Sequence, residues 1–272
     1  MKEYLTQVRT KAPIIHNITN YVTVNDVANM ILAVGASPIM ADEKDEVEQI
    51  TSLTQGLNIN IGTLNKRSIE SMLLAGHKAN ELGHKVVLDP VGAGASDLRT
   101  QTACRLLDEL KIDVVRGNMS EIKTLAYKQG KTQGVDVNIE DQVTEENLDE
   151  AVAFVKAFAK EKEVIVAVTG AIDLVSDGTV CYVIRNGRKE MGRITGTGCQ
   201  LSGLLCAFIS ASQDHVLEAA ATSVIAMGLA GEIAYQYMKE YDGNATYRNR
   251  IIDAIYHMSE EDIESGAKYE IR

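Results

Sequence analysis

His84–Ser96 reads HKVVLDPVGAGAS. Val86, Val87 and Leu88 form an unbroken apolar run, the pattern of a strand covered on both faces in a parallel sheet rather than of one with a wet side. Asp89 falls at its C-terminal end, and open α/β sheets hold their ligands along that edge. Gly92 and Gly94 offer a tight turn and a possible anion site, although Ser96 and Asp97 behind them read as an ordinary helix start.

Toward the N-terminus, helix and strand patterns alternate. A helix is predicted from Lys66 to Leu82, preceded by the alternating strand Leu57, Ile59, Ile61 and by a helix around Val47, Ile50 and Leu53. A short strand, Pro38 to Met40, follows a helix that Thr23 or Asn25 caps and Gly35 stops, with Val24, Val27, Ala28, Ile31 and Leu32 at helical spacing. Ile14 to Tyr21 is a strand and loop in which Asn17, Thr19 and Asn20 either bond a polar ligand or serve turn chemistry, and Asn25 is read the same way. Before it, an amphipathic segment with Leu5 and Val8 is closed by Pro13.

The alternation continues toward the C-terminus. A helix with Leu98, Leu106, Leu107 and Leu110 leads to a strand Ile112 to Val115, which ends in Arg116, Gly117 and Asn118 with Glu121 close behind. A polar insert near Gly130 to Gln142 precedes a helix with Leu148, Val152, Val155 and Phe158, and then a strand that ends at Thr169 and Gly170. Asp177-Gly178 marks a hairpin between strands around Leu174 and Tyr182. Helices from Val216 to Met238 and from Thr246 to Met258 follow, with SEEDIE as a solvated acidic face. The expected architecture is α/β: one domain over residues 1–272, with a mostly parallel central sheet and helices on both faces.

The stretch Arg193–Phe208, RITGTGCQLSGLLCAF, is a glycine turn feeding a buried helix. Its first N–H groups, at the positive end of the helix dipole, suit a phosphate or an anionic transition state. Cys199 at that end is expected to be more acidic than a free thiol, and so to serve as a base, or else to be a small core residue.

Composition narrows the partners. The 272 residues carry a net charge of -11, which argues against nucleic acid and against an anionic membrane surface. No signal peptide or membrane span is evident, so a cytoplasmic protein is expected. The four cysteines show no CxxC spacing and are expected to be reduced.

Four strand or turn ends carry polar groups that suit a single chemistry. They are Asp89; Arg116 with Asn118 and Glu121; Thr169 with Gly170; and the GTGC turn. Two carboxylates can hold Mg²⁺, an arginine can neutralise a phosphate, and turn amides can receive developing charge, which together are the parts of a phosphoryl transfer. Neither GxGxxG nor GxxxxGK[ST] is met.

The segments HNITNYVTVNDVANMILAVGASPIMA, DPVGAGAS, RGNMSE, VAVTG and ITGTGCQLSG, in this order, resemble the hydroxyethylthiazole kinase family of the ribokinase-like superfamily. The resemblance implies ATP, Mg²⁺, phosphorylation of 4-methyl-5-(2-hydroxyethyl)thiazole in thiamine salvage, and a homotrimer with active sites between subunits. It places Asp89 and Glu121 at the metal, and Arg116, Asn118, Thr169 and Gly198 at ATP. Met40, Asn25, Val27, Gly196 and Cys199 fall at the thiazole. Gly196, Thr197 and Gly198 resemble the anion hole, and Cys199 stands where related kinases carry an aspartate as catalytic base. A related small-alcohol kinase such as hydroxymethylpyrimidine kinase, an ATP-dependent dehydratase on the same fold and a non-catalytic binder remain open alternatives.

Overall fold

The computed structural model describes residues 1–128 and 142–272, so most of the polar insert expected near Gly130 to Gln142 lies outside the described residues. The sheet is built from β1 (Ile14–Ile18), β2 (Ser37–Met40), β3 (Gly56–Asn60), β4 (Lys85–Asp89), β5 (Val114–Gly117), β6 (Ile165–Val168), β7 (Asp173–Ser176), β8 (Cys181–Ile184) and β9 (Tyr269–Ile271). Their spatial order is β2-β1-β3-β4-β5-β6-β7-β8-β9. Every pair from β2 to β6 is parallel, whereas β7, β8 and β9 add antiparallel. Parallel neighbours need a crossover, and the helices between successive strands supply it.

One face of the sheet is covered by α1 (Lys2–Lys11), α2 (Val24–Val34), α8 (Thr197–Ala211), α9 (Val216–Gln236), α10 (Asn244–His257) and α11 (Glu260–Gly266). The other carries α3 (Val47–Ser52), α4 (Lys66–Leu82), α5 (Asp97–Glu109), α6 (Met119–Lys128) and α7 (Leu148–Lys162). The twofold repeat of a strand divides β4 between them: Val87 belongs to the first core, Val86 and Leu88 to the second. That division is why the run reads apolar without interruption.

Several elements differ from the sequence pattern. In β3 the residues between the apolar positions are not solvated, since Asn58 and Asn60 are fully buried beneath the first helix layer. Asn58 donates to Asn17 Oδ1 of β1 at 3.0 Å, opposite it in register. The fifth strand runs Val114–Gly117, shifted toward the site from the expected Ile112 to Val115. SEEDIE belongs to a capped helix, Ser259 and Asp262 forming a reciprocal box, with Ile263 buried. β9, which the sequence pattern does not signal, closes the edge beside β8. α9 is long and apolar enough by composition to cross a bilayer, against the expectation of no such stretch, yet 72% of its apolar window is buried inside the fold. None of the four cysteines forms a disulfide among the described residues.

Candidate active site

α8 begins at Gly196, whose φ of 84° lies in the left-handed region that glycine tolerates. A side chain there would collide with Thr23, the N-cap of α2, and one at Gly203 would collide with Val27. The helix start is thus pinned against α2, with no side-chain cap for its first N–H groups. Those donors and the helix dipole face outward from the sheet edge, ready for an anion.

Asp89, fully buried at the end of β4, sits beneath this turn. Its Oδ2 accepts from Ser202 Oγ at 2.7 Å and from Asn60 Nδ2 at 2.8 Å, and Arg116 Nη1 lies 3.5 Å away. Burial pushes its carboxyl up, against the opposing pull of the Arg116 charge and of these hydrogen bonds. Oδ1 is buried with no partner among the described residues. Arg116 also donates to Thr169 Oγ1 at 2.5 Å, and its guanidinium covers Gly198 so closely that any side chain at 198 would overlap it. The parallel register of β4, β5 and β6 brings Asp89, Arg116 and Thr169 to one edge, as expected from the sequence.

Cys199 differs from expectation. Its sulfur accepts from Asn20 Nδ2 and Asn60 Nδ2, each at 3.2 Å, but its pKa is raised rather than lowered. Burial is the main cause and the nearby Asp89 charge adds to it, and together they outweigh the hydrogen bonds and Arg116. The resting site therefore disfavours the thiolate.

Glu121 and Asn118 cap the start of α6 reciprocally. Glu121 N–H donates to Asn118 Oδ1 at 2.9 Å and Asn118 N–H to Glu121 Oε2 at 2.8 Å, while Glu121 Oε1 accepts from Gly92 N–H at 2.8 Å. Each carboxylate oxygen thus holds one backbone donor. Among the described residues no group of three or more His, Cys, Asp or Glu side chains is arranged to hold a metal ion. The Gly92 turn serves Glu121 and the Ser96-capped α5.

A cleft of about 770 Å³ opens beside these groups. Arg116, Thr169, Gly170, Thr197 and Gly198 line its polar end, and Leu201, Val224 and Met227 give it an apolar wall. Lys189 and Arg188 also line it, Arg188 being paired with Glu190 at 3.1 Å. Asp173, unsignalled in the sequence, also lines it and accepts from Gly170 N–H at 2.8 Å. Burial pushes its carboxyl up to about 7 in spite of that bond and of Arg116.

The residues expected at the thiazole divide. Gly196 and Cys199 lie in this network, and Met40 ends β2 on the same sheet edge, opposite Asn17. Val27 is fully buried against Gly203, enclosed in the core rather than facing the cleft, and Asn25 is exposed on α2. Asn20 is the amide of this loop that reaches Cys199; Asn17 is used within the sheet. Asn60, the last residue of β3, and Ser202, on the buried face of α8, went unsignalled because an alternating strand reads its polar positions as solvated and a serine among leucines reads as a small core residue, although a polar residue repeated inside an apolar strand is a usable sign.

The model of the hydroxyethylthiazole kinase family matches residues 5–261. A relative from Clostridium acetobutylicum named hydroxyethylthiazole kinase is 55% identical over 270 residues, 99% of each chain. The solved structure of hydroxyethylthiazole kinase protein from Pyrococcus horikoshii superposes with a TM-score of 0.89 at 37% identity, covering 99% of this chain and 98% of that one. The pyridoxal kinase from Staphylococcus aureus in complex with ADP, at 14% identity, a TM-score of 0.62 and coverage of 95% and 97%, shares the ribokinase-like fold alone. With a family model spanning nearly its whole length and a relative of this identity, the chain belongs to the hydroxyethylthiazole kinase family.

Proposed function

We propose that the chain transfers the γ-phosphoryl group of ATP to the primary alcohol of 4-methyl-5-(2-hydroxyethyl)thiazole, giving its phosphate ester for thiamine salvage. The observation that carries this reading is the continuous run from Thr169 through Arg116 to Asp89 and Ser202, set against the open start of α8 beside a cleft of nucleotide size. Thr169, Asn118 and Arg116 hold the phosphates, and the N–H groups of Thr197 and Gly198 receive charge on the transferring group. Leu201, Val224 and Met227 cover the base. The alcohol enters from the side of Met40, Asn20 and Gly196.

Mg²⁺ supplies charge neutralisation of the phosphates. The residues fit it: Asp89 Oδ1 is buried without a partner among the described residues, and each Glu121 oxygen, holding one backbone donor, keeps a lone pair, so these two carboxylates would hold the ion. In a loose transition state the alcohol loses its proton late, so positioning and charge stabilisation do most of the work and Cys199 contributes modestly as base. Tyr21 and Val22, 79% and 60% exposed beside Asn20, support a homotrimer in which a neighbouring copy completes the alcohol pocket. A cytoplasmic location accords with the free thiols.

The test is mass-spectrometric detection of the thiazole phosphate after mixing protein, MgATP and the alcohol, with hydroxymethylpyrimidine in parallel. Phosphorylated thiazole alone is the expected result. Phosphorylated pyrimidine alone, or ATP binding with no ester formed, would overturn the reading.

A further inference from the structure

We propose that Asn60 is a positioning residue for phosphoryl transfer: one amide, anchored in the sheet, fixes the Cys199 sulfur against the carboxylate of Asp89, and Asn20 supplies a second clamp. The proposal rests on the reading of Cys199 as the base.

The orientation of the Asn60 amide is not free. Its Oδ1 accepts from Gly62 N–H at 2.9 Å, and a backbone N–H can only donate, so the NH₂ end faces the site. One of its two hydrogens goes to Asp89 Oδ2 at 2.8 Å and the other to Cys199 Sγ at 3.2 Å. Asn20 is fixed by the same logic, its Oδ1 accepting from Thr23 N–H at 3.1 Å. Its NH₂ therefore reaches Asn60 Oδ1 at 3.0 Å and Cys199 Sγ at 3.2 Å. Two donors of settled direction converge on one sulfur.

The energetic consequence is directional. A neutral thiol sulfur holding two donors has both lone pairs in use, so its own proton points into the remaining direction. When the sulfur takes negative charge, both bonds become charge-assisted and strengthen. Asn60 is 1% exposed and sits on β3, a rigid central strand, so it holds its two partners without reorganising. Asn60 does not line the cleft, and it acts on the reaction through Cys199, with its bond to Asp89 serving as the anchor that fixes the amide.

A double-mutant cycle tests this. Asn60→Ala and Cys199→Ala are made singly and together, and kcat and the KM for ATP are measured with the thiazole alcohol as acceptor. In the Cys199 enzyme Asn60→Ala is expected to lower kcat by about tenfold with the KM for ATP within about twofold; in the Cys199→Ala background it changes kcat by less than about twofold. The same loss in both backgrounds overturns the proposal and leaves the proposed activity standing. Full turnover in Cys199→Ala overturns the base reading and this proposal together. Should Asn60→Ala fail to fold by circular dichroism, Asn60→Ser, which removes the amide's two donors to Asp89 and Cys199 while leaving a small polar side chain, carries the same comparison with the same deciding outcomes.

Discussion

The guanidinium of Arg116 covers the backbone of Gly198, filling the space that any side chain at 198 would need. The first turn of α8 and the Arg116 side chain at the end of β5 thus share one surface. Gly198→Ala should displace Arg116, lower kcat by about 10²-fold and weaken nucleotide binding, since a preorganised charge-stabilising group is worth that order. Calorimetric titration with ADP beside steady-state rates checks it. Wild-type values for both would refute the coupling.

Cys199 gives a pH signature. Burial raises its pKa, and a base must be deprotonated, so wild-type turnover should climb with pH into the alkaline range. Cys199→Ala should be slower by about tenfold and should lack that climb, while Cys199→Asp, charged at neutral pH, should retain or raise turnover. Complete inactivity of the aspartate variant would contradict the base role.

Asp173 governs stability rather than rate in the next experiment. Its carboxyl is raised from 3.8 to about 7, so between these values the folded chain binds more protons than the unfolded chain. The favourable contribution is complete below about pH 4 and disappears as pH rises through 7. The Tm of the wild type should therefore fall, over this window, more steeply than that of Asp173→Asn. Parallel melting curves with equal slopes would count against it.

Val27 separates a core role from a pocket role. Fully buried against Gly203, it should cost about 2 kcal/mol of stability on truncation to alanine and leave the KM for the thiazole alcohol unchanged. Chemical denaturation and kinetics of the same variant decide it; a raised KM with unchanged stability would return Val27 to the binding wall.

Much of the architecture was legible because local rules and packing agree. Lys66 to Leu82 is helical with the expected bounds, Gly35 ends α2 while Thr23 holds its N-cap position without a side-chain cap bond, and Asp177-Gly178 turns the hairpin of β7 and β8. The strand ends Asp89, Arg116 and Thr169 met because parallel strands align their C-terminal ends. β9 escaped because a three-residue strand, Tyr-Glu-Ile, is too short for its alternation to stand out. The acidity expected of Cys199 failed for a physical reason: the dipole rule counts the helix end but not the desolvation of a thiol enclosed beside a buried carboxylate. Asn60 escaped because the repeated asparagines of β3 read as a solvated strand face, whereas that face is buried and Asn60 bonds Asp89 and Cys199 across the sheet.

The amide pair Asn17 and Asn58 gives the sheet a means of checking its own assembly. Apolar strands slide past one another at little cost, and β1, β3 and β4 are apolar enough to be at risk. A slip of β1 by one residue would turn Asn17 toward the opposite, hydrocarbon layer and leave the Asn58 amide without its partner. Misaligned pairings would thus be penalised as the helices close over them and bury the unpaired amides, which favours the alignment that presents Asp89 and Arg116.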